Sequence, residues 1–230
     1  MNKNIFYFIT VFAVSALLFV SCGSVSKAGN ADYAAFRESR PASILVLPPL
    51  NNSVEVDAPN VIQACATYPL SEAGYYVFPV GVTQQMFKQN GIQTSADAHA
   101  VSARRLREIF GADAALYMTI TKFGAQYQVL RSVVEAEVSA TLVDLKTGKE
   151  LWKGNIKHQE EPSNTKISGG SGGLLGSVVN AAVSAAVDQA VNTLANKSYD
   201  VGRNATSMLL TANSNKGLLF GPHNPKYESD

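Results

Sequence analysis

Cysteine and charge are both scarce in this sequence. Its 230 residues include two cysteines, three histidines and one tryptophan, and 16% of the residues are charged. Two cysteines cannot build the disulfide frameworks that hold many small secreted domains together. A chain of about 200 residues can nevertheless bury one adequate hydrophobic core without such crosslinks.

The charge balance gives no support to a nucleic-acid ligand. The chain has 19 Lys and Arg against 18 Asp and Glu, and removal of residues 1–21, which hold Lys3 and no acid, leaves equal numbers of each sign. Binding a polyphosphate requires clustered Lys and Arg that release counterions. The one local cluster, Arg104-Arg105-Leu106-Arg107, is more typical of the solvated face of a helix. We therefore expect no nucleic-acid partner.

The N-terminus has the anatomy of an export signal. Lys3 precedes an unbroken apolar stretch over residues 5–20, which is shorter than the roughly 20 apolar residues of a membrane-spanning helix. The sequence Phe19-Val20-Ser21-Cys22 resembles a bacterial lipobox, although Phe19 stands where leucine is preferred. The resemblance implies that residues 1–21 are removed and that Cys22 carries acyl chains as a membrane anchor. The alternatives are an ordinary secreted protein cut near the same place and, more weakly, a spanning helix.

The residues after Cys22 bear on location. Gly23 occupies the position where aspartate is the usual inner-membrane retention signal, so the analogy favours the periplasmic face of the outer membrane. Residues 22–40 are small and polar with little periodicity, which predicts a tether between the anchor and the folded domain.

The second cysteine has two interpretations. Cys65 lies in a helix-like apolar pattern, where a cysteine usually behaves as a small buried hydrophobe. A nucleophilic role requires a base nearby in space, and only His99, His158 or His223 could serve. The pattern favours the buried hydrophobe.

The sequence of the folded part predicts a sheet with parallel strands first and antiparallel strands after them. The sequence predicts a βαβ unit. Its first strand is the apolar run Ser43–Leu47 and its second is Tyr75–Phe78. The helix between them begins at Asp57 and Pro59, and Pro69 kinks or ends it. Two helices over 82–88 and 102–110 follow, and then four strands predict an antiparallel meander: 114–121, 125–130, 133–145 and 150–157. The fold class is therefore α/β (α+β) with a mixed sheet, followed by C-terminal helices.

Several segments in this order resemble known envelope proteins. Ile44–Pro48, Phe110–Ala114 and Leu142–Trp152 are similar to the N-terminal domain shared by TolB and the CsgG group of periplasmic proteins. A closer resemblance, carried by Gly74–Val80, residues 172–176 and Leu218–Pro225 in addition, is to a family of bacterial lipoproteins of unknown function with this domain. The resemblance implies a role in outer-membrane transport or assembly, with a CsgG-like lipoprotein as a partner. It brings no catalytic residues.

Four regions are expected from these patterns. They are a signal peptide (1–21), a lipid anchor and tether (22–40), a TolB-N/CsgG-like α/β domain (41–160), and a Gly-rich link with C-terminal helices packed on the same domain (161–230).

The Gly-rich link and the helix after it are the remaining candidates for a site. Residues 168–176 lack the Gly-Lys-Ser/Thr and G-x-G-x-x-G spacings that cradle phosphates, so we expect no nucleotide and no other cofactor or metal. The pattern from 174 to 197 predicts a helix with an apolar, small-surfaced stripe. Core packing, self-association as a homodimer and membrane contact all remain open for this stripe. Its interaction candidates are Val179, Ala182, Val183, Ala186, Val187 and Ala190.

Three functions fit the sequence. The first is a non-catalytic interaction or assembly component of the envelope, and this is the one we favour. The second is a periplasmic module that binds a small ligand or a peptide in a groove beside the sheet. The third is a hydrolase using Glu135, Glu137 or Asp144, but the two glutamates alternate with apolar residues on a strand and are expected to face solvent. We therefore expect no enzyme activity.

Overall fold

The computed structural model describes residues 33–127, 132–160, 197–212 and 217–227. Six helices and six strands lie in these ranges. The helices are α1 (Ala34–Ser39), α2 (Ala58–Glu72), α3 (Val80–Gln89), α4 (Ser95–Ala100), α5 (Ala103–Phe110) and α6 (residues 197–210). The strands are β1 (Ser43–Val46), β2 (Leu50–Asn51), β3 (Tyr76–Val77), β4 (Ala114–Tyr127), β5 (Ser132–Asp144) and β6 (Glu150–Glu160).

All six strands belong to one mixed sheet. Its order is β3-β1-β4-β5-β6, and β2 pairs with β4 beyond the end of β1. β1 is parallel to β3 and β4, whereas β4, β5 and β6 are antiparallel neighbours. The mixed α+β fold class, with a β-α-β start and an antiparallel meander, is thus confirmed.

The meander has three strands where the sequence predicts four. The expected strands 114–121 and 125–130 lie on one strand, β4, whose pairing with β5 runs from Ala114 opposite Asp144 to Tyr127 opposite Ser132. A register shift between Ile120 and Lys122 absorbs one extra residue. Such a bulge interrupts the alternation of side chains without ending the strand, and the sequence pattern reads the interruption as a break.

Two breaking signals in the helical region act differently from expectation. Asp57 is the N-cap residue of α2 and proline follows within its first two helical positions, but the Asp57 side chain makes no capping hydrogen bond. Pro69 does not end the helix, which continues to Glu72. A proline this close to the C-terminus removes one backbone hydrogen bond and leaves the few remaining residues helical.

Two apolar layers cover the sheet. On one face α2 and α6 bury Ile62, Leu70, Val201 and Leu210 against strand residues that include Leu116. On the other face, residues of the α3–α5 helices cover the β1 end of the sheet together with the ends of β4 and β5; they include Phe87, Ala98, Leu106 and Phe110. This second layer leaves the far part of β5 and β6 outside its contacts.

The C-terminal loop (residues 217–227) is fastened to the start of the domain. The Tyr33 hydroxyl donates to the Gly217 carbonyl at 2.6 Å, and the Tyr75 hydroxyl donates to the Leu219 carbonyl at 2.5 Å. Gly221 N donates to the Ala73 carbonyl at 2.7 Å. The loop therefore forms a wall beside α1 and the turn that precedes β3.

Residues 34–39 differ from the expected tether. They form α1, and Phe36 of this helix is buried in the first core together with the preceding Tyr33. Two aromatic anchors three residues apart in a polar segment are the signal that identifies this helix. No helix in the described ranges is both long enough and apolar enough to span a membrane.

Candidate functional site

The far part of the β5–β6 hairpin carries a polar surface. Val134, Ala136, Val138 and Ala140 are buried in the first core, so the alternate residues of β5 point to the opposite side. Cross-strand partners in an antiparallel sheet share a face, and the register places β6 residues opposite them. We call this surface the polar sheet face, and it comprises Lys122, Glu135, Glu137, Ser139, Thr141, Lys153, Asn155, Lys157 and Gln159.

Glu135 is the centre of this face, and its position corrects the sequence prediction. It was expected to face solvent, but it is only 3% exposed. Its carboxylate lies 3.4 Å from Lys122 Nζ and 3.9 Å from Lys157 Nζ, and it accepts a hydrogen bond from Gln159 Nε2 at 2.5 Å. The expectation was wrong because long lysine side chains on both neighbouring strands fold over the carboxylate. Glu137 is half-buried.

β6 is an edge strand of the sheet in the described part of the chain. β6 is the last strand in the sheet order, and no other strand within the described ranges pairs with its free edge. Eleven residues make an edge about 35 Å long. The exposed Lys153 and Lys157 point away from the sheet plane, and lysines near an edge discourage indiscriminate strand pairing. Such an edge offers backbone donors and acceptors to a selected partner strand.

An ion-pair cluster closes the end of β6 against α6. The Glu160 carboxylate contacts Lys197 Nζ, lies 3.0 Å from His158 Nε2, and accepts a hydrogen bond from Asn204 Nδ2 at 2.9 Å. The hydrogen bond from Lys197, followed by those from His158 and Asn204, lowers the pKa of Glu160 to about 2. These contacts therefore hold the end of β6 against α6.

Glu160→Gln is expected to reduce the dependence of the free energy of unfolding on pH at acidic pH. The pKa of Glu160 is lowered in the folded state, so its contribution is fully present above the unfolded value of about 4.5 and is lost as the pH falls towards 2. Urea unfolding at pH 7, 4.5 and 3 measures the effect. The variant is expected to be less stable than the parent at pH 7, and this gap narrows at pH 3. Glu150→Gln, at an exposed position of the same strand, serves as the control; an equal narrowing in both variants contradicts the assignment.

The third acid considered for hydrolysis belongs to a turn. Asp144 Oδ1 accepts hydrogen bonds from Lys146 N at 2.8 Å and from Thr147 N at 2.5 Å, and Oδ2 accepts one from the Ser39 hydroxyl. Burial raises the pKa of Asp144, but these hydrogen bonds outweigh it and lower the pKa below its ordinary value. Both oxygens are thus engaged in holding the β5–β6 turn to α1.

The cysteine thiol is buried. Cys65 is 6% exposed, and burial raises the pKa of its thiol against the opposing effects of Tyr199 and Arg203. A raised pKa reduces the thiolate fraction, which is the nucleophilic form. The candidate bases have other partners: His99 contacts the Pro48 carbonyl, His158 contacts Glu160, and His223 contacts the Gly74 carbonyl. The geometry supports the interpretation of Cys65 as a small hydrophobe.

A cleft lies where α1 meets the C-terminal loop. Its volume is about 280 Å³, and its lining includes Phe36, Arg37, Arg40, Phe220 and Tyr227. The sequence analysis missed this site because the two arginines lie in the predicted tether. The sequence feature that could have indicated the site is the spacing of three residues between the two arginines, which places both at the end of one helical turn.

The remaining predicted site residues lie outside the described residues. These are Cys22, the Gly-rich stretch 168–176, and the six interaction candidates Val179, Ala182, Val183, Ala186, Val187 and Ala190. In the described ranges, no three His, Cys, Asp or Glu side chains gather in a group that could hold a metal ion.

Comparison with known proteins identifies similar lipoproteins. The family described as "Putative lipoprotein GNA1162-like" matches residues 31–223. A relative from Neisseria meningitidis serogroup B, "Putative lipoprotein NMB1124/NMB1162", is 45% identical over 212 residues, which are 92% of this chain and 94% of the relative. The crystal structure of lipoprotein GNA1162 from Neisseria meningitidis is 46% identical with a TM-score of 0.51, over 66% of this chain and 99% of that chain. The resemblance to the TolB and CsgG domain stays a prediction.

Proposed function

Because the chain belongs to the GNA1162-like family of lipoproteins, we propose that it is a non-catalytic interaction or assembly component of outer-membrane transport or biogenesis. Acyl chains on Cys22 tether it to the outer membrane, and the folded domain faces the periplasm. Several acyl chains at about 0.8 kcal/mol per buried CH₂ hold a protein on a membrane essentially permanently. The domain is thus presented close to other envelope proteins.

The observation that carries this proposal is the edge of β6, which no other described strand pairs with, beside the polar sheet face. An edge of 11 residues supplies backbone hydrogen bonds, and the alternating side chains of the polar sheet face supply selectivity. The acids that a hydrolase would use are engaged elsewhere, Glu135 by two lysines and Asp144 by its turn. A partner protein therefore suits this surface better than a substrate. A CsgG-like envelope lipoprotein or a second copy of the chain is the proposed partner.

The segment 161–196 supports the same function. Glu160 and Lys197, the described residues on either side of it, meet in an ion pair. The segment contains the stripe of Val179, Ala182, Val183, Ala186, Val187 and Ala190. Small side chains let helices approach closely, which suits a homodimer or a complex with a partner.

Site-specific photocrosslinking in intact cells tests the interaction. A photoreactive amino acid at Asn155, which is exposed on β6, is expected to give discrete crosslinked species of higher mass. The matched control is the same amino acid at Arg107, an exposed residue of α5 in the opposite part of the fold. Mass spectrometry then identifies each partner. Equal or absent crosslinking at the two positions contradicts a docking surface at β6.

Cys22→Ala tests the anchor separately. The variant is expected to lose incorporation of labelled palmitate and to leave the membrane fraction, because no other acyl acceptor is proposed. Gel autoradiography and fractionation at high salt measure both effects. Cys65→Ala is the control, since that thiol is buried and its loss is expected to leave labelling unchanged. Retention of label or of tight membrane attachment in Cys22→Ala overturns the anchor.

A further inference from the structure

The cleft between α1 and the C-terminal loop combines cations with aromatic walls. Arg37 and Arg40 line it together with Phe220 and Tyr227. Lys226 Nζ lies 5.8 Å from the centre of the Phe220 ring. A volume of about 280 Å³ is small for a drug-sized ligand and ample for one phosphate-bearing group.

The two arginines of the cleft lack acidic partners. Glu38, the acid between them in sequence, is directed to Lys149 Nζ at 3.3 Å. Arg40 Nε donates to the Arg37 carbonyl at 3.3 Å, which orients the guanidinium without neutralising it. Within the described part of the chain, neither guanidinium forms an ion pair. Two exposed, uncompensated guanidinium groups beside one cavity make a site of positive potential for an anion.

The backbone at Arg40 is a second, independent observation. Arg40 has a φ of 44° and is the only described residue other than glycine with a positive φ. This left-handed position after a helix is usually filled by glycine, which adopts it without steric cost. Glycine would adopt this backbone conformation at lower energy, so the presence of a strained arginine indicates that its side chain has a function.

From these observations we infer that the cleft binds the phosphate headgroup of an anionic phospholipid in the membrane that carries the anchor. The inference rests on the proposed acylation of Cys22. Tyr33 follows Cys22 by only 11 positions, and a chain of that length spans at most about 40 Å even when fully extended. A connection of this length is expected to keep the cleft within reach of the headgroup layer. A guanidinium fork matches phosphate oxygens in pairs, and the aromatic walls suit the region between headgroup and water.

Titration of the purified, acylated full chain in a neutral sugar detergent tests this inference. The probes are dihexanoyl phosphatidylglycerol, dihexanoyl phosphatidylcholine and inorganic phosphate, and the readout is the amide chemical shifts of residues 36–41 and 219–227. The glycerol lipid is expected to shift these amides and to bind about tenfold more tightly than the zwitterionic choline lipid, a difference of one charge-assisted contact. It is also expected to bind more tightly than inorganic phosphate, which has no apolar part to contact the aromatic side chains. Arg37→Gln/Arg40→Gln is expected to lose this preference.

Two further variants separate binding from structure. Arg40→Gly removes the guanidinium while relieving the backbone, so a purely structural role predicts unchanged binding, whereas we expect a loss of about tenfold. Arg107→Gln makes the same charge change on α5 and is expected to bind as the parent does. Equal affinity for both lipids, or equal affinity for the glycerol lipid and inorganic phosphate, overturns the inference. The palmitate and crosslinking results are independent of these titrations, so failure of the anchor or of the β6 surface is distinguishable.

Discussion

Gly74→Ala is expected to lower the free energy of unfolding by about 3 kcal/mol, the sum of left-handed backbone strain and a steric clash. Gly74 has a φ of 93°, and a Cβ there would lie 2.4 Å from Asn224 N and 2.9 Å from the Gly221 carbonyl oxygen. Both contacts are backbone, so a side-chain rotation cannot relieve them. The C-terminal loop must move away, and its hydrogen bond from Gly221 N to the Ala73 carbonyl is lost with it. Urea unfolding followed by far-UV circular dichroism measures the loss.

Gly91→Ala is the matched control for this substitution. Gly91 has a φ of 79° with nothing within 4 Å of the position of its Cβ. Its replacement therefore carries the backbone strain alone, about 1 kcal/mol. The difference between the two variants reports the close packing of the C-terminal loop on the turn before β3. If both variants lose the same free energy, the loop does not pack as closely as the structure shows.

The same loop forms a wall of the cleft, which links stability to the proposed ligand site. Tyr33 and Tyr75 donate to carbonyls of residues 217 and 219, and Phe220 and Tyr227 of that loop line the cleft. We expect the cleft to form only when the loop is docked. The packing of two glycines, Gly74 and Gly221, thus determines whether the arginines of α1 face an aromatic wall.

Local patterns predicted part of the fold. The apolar run at β1 and the helix over residues 102–110 each depend on interactions within a few residues, and both are found close to where the sequence places them. The Ser102 hydroxyl accepts a hydrogen bond from Arg105 N, and Gly111 adopts the left-handed conformation. Interactions of this range are encoded by neighbouring residues.

Contacts between distant residues were not predictable from those patterns. Glu135 is buried because Lys122 and Lys157 come from two other strands, and the register that brings Lys122 alongside depends on the bulge after Ile120. Tyr33 and Phe36 lie in a segment whose sequence is typical of a polar tether, and they are buried because the C-terminal loop packs on them. The alternation of side chains along one strand predicts which face of the sheet a residue lies on. Whether that residue is buried depends on the side chains of the neighbouring strands.

Lys122→Met/Lys157→Met is expected to cost about 2 kcal/mol of stability at pH 7. The substitutions remove both cations from a carboxylate that is 3% exposed and leave Gln159 as its described partner. Loss of the partners of a buried charge is strongly destabilising, and the partial exposure of both lysines, 45% and 51%, reduces the effect. Urea unfolding measures it, and the polar sheet face is expected to disorder first in hydrogen exchange.

Adding Glu135→Met to this double variant is expected to restore most of the lost stability, because the triple variant no longer buries an unpaired charge. The matched control is Lys88→Met/Lys153→Met, which makes the same charge change at two exposed positions and is expected to change stability by less than about 0.5 kcal/mol. If the triple variant remains as unstable as the double variant, the unpaired charge of Glu135 is not the cause of the lost stability. Recovery of stability in the triple variant, in contrast, shows that the charge of Glu135 must be neutralised. Because Glu135 lies on the surface proposed to receive a partner, a partner that docks there has to leave both lysines in place.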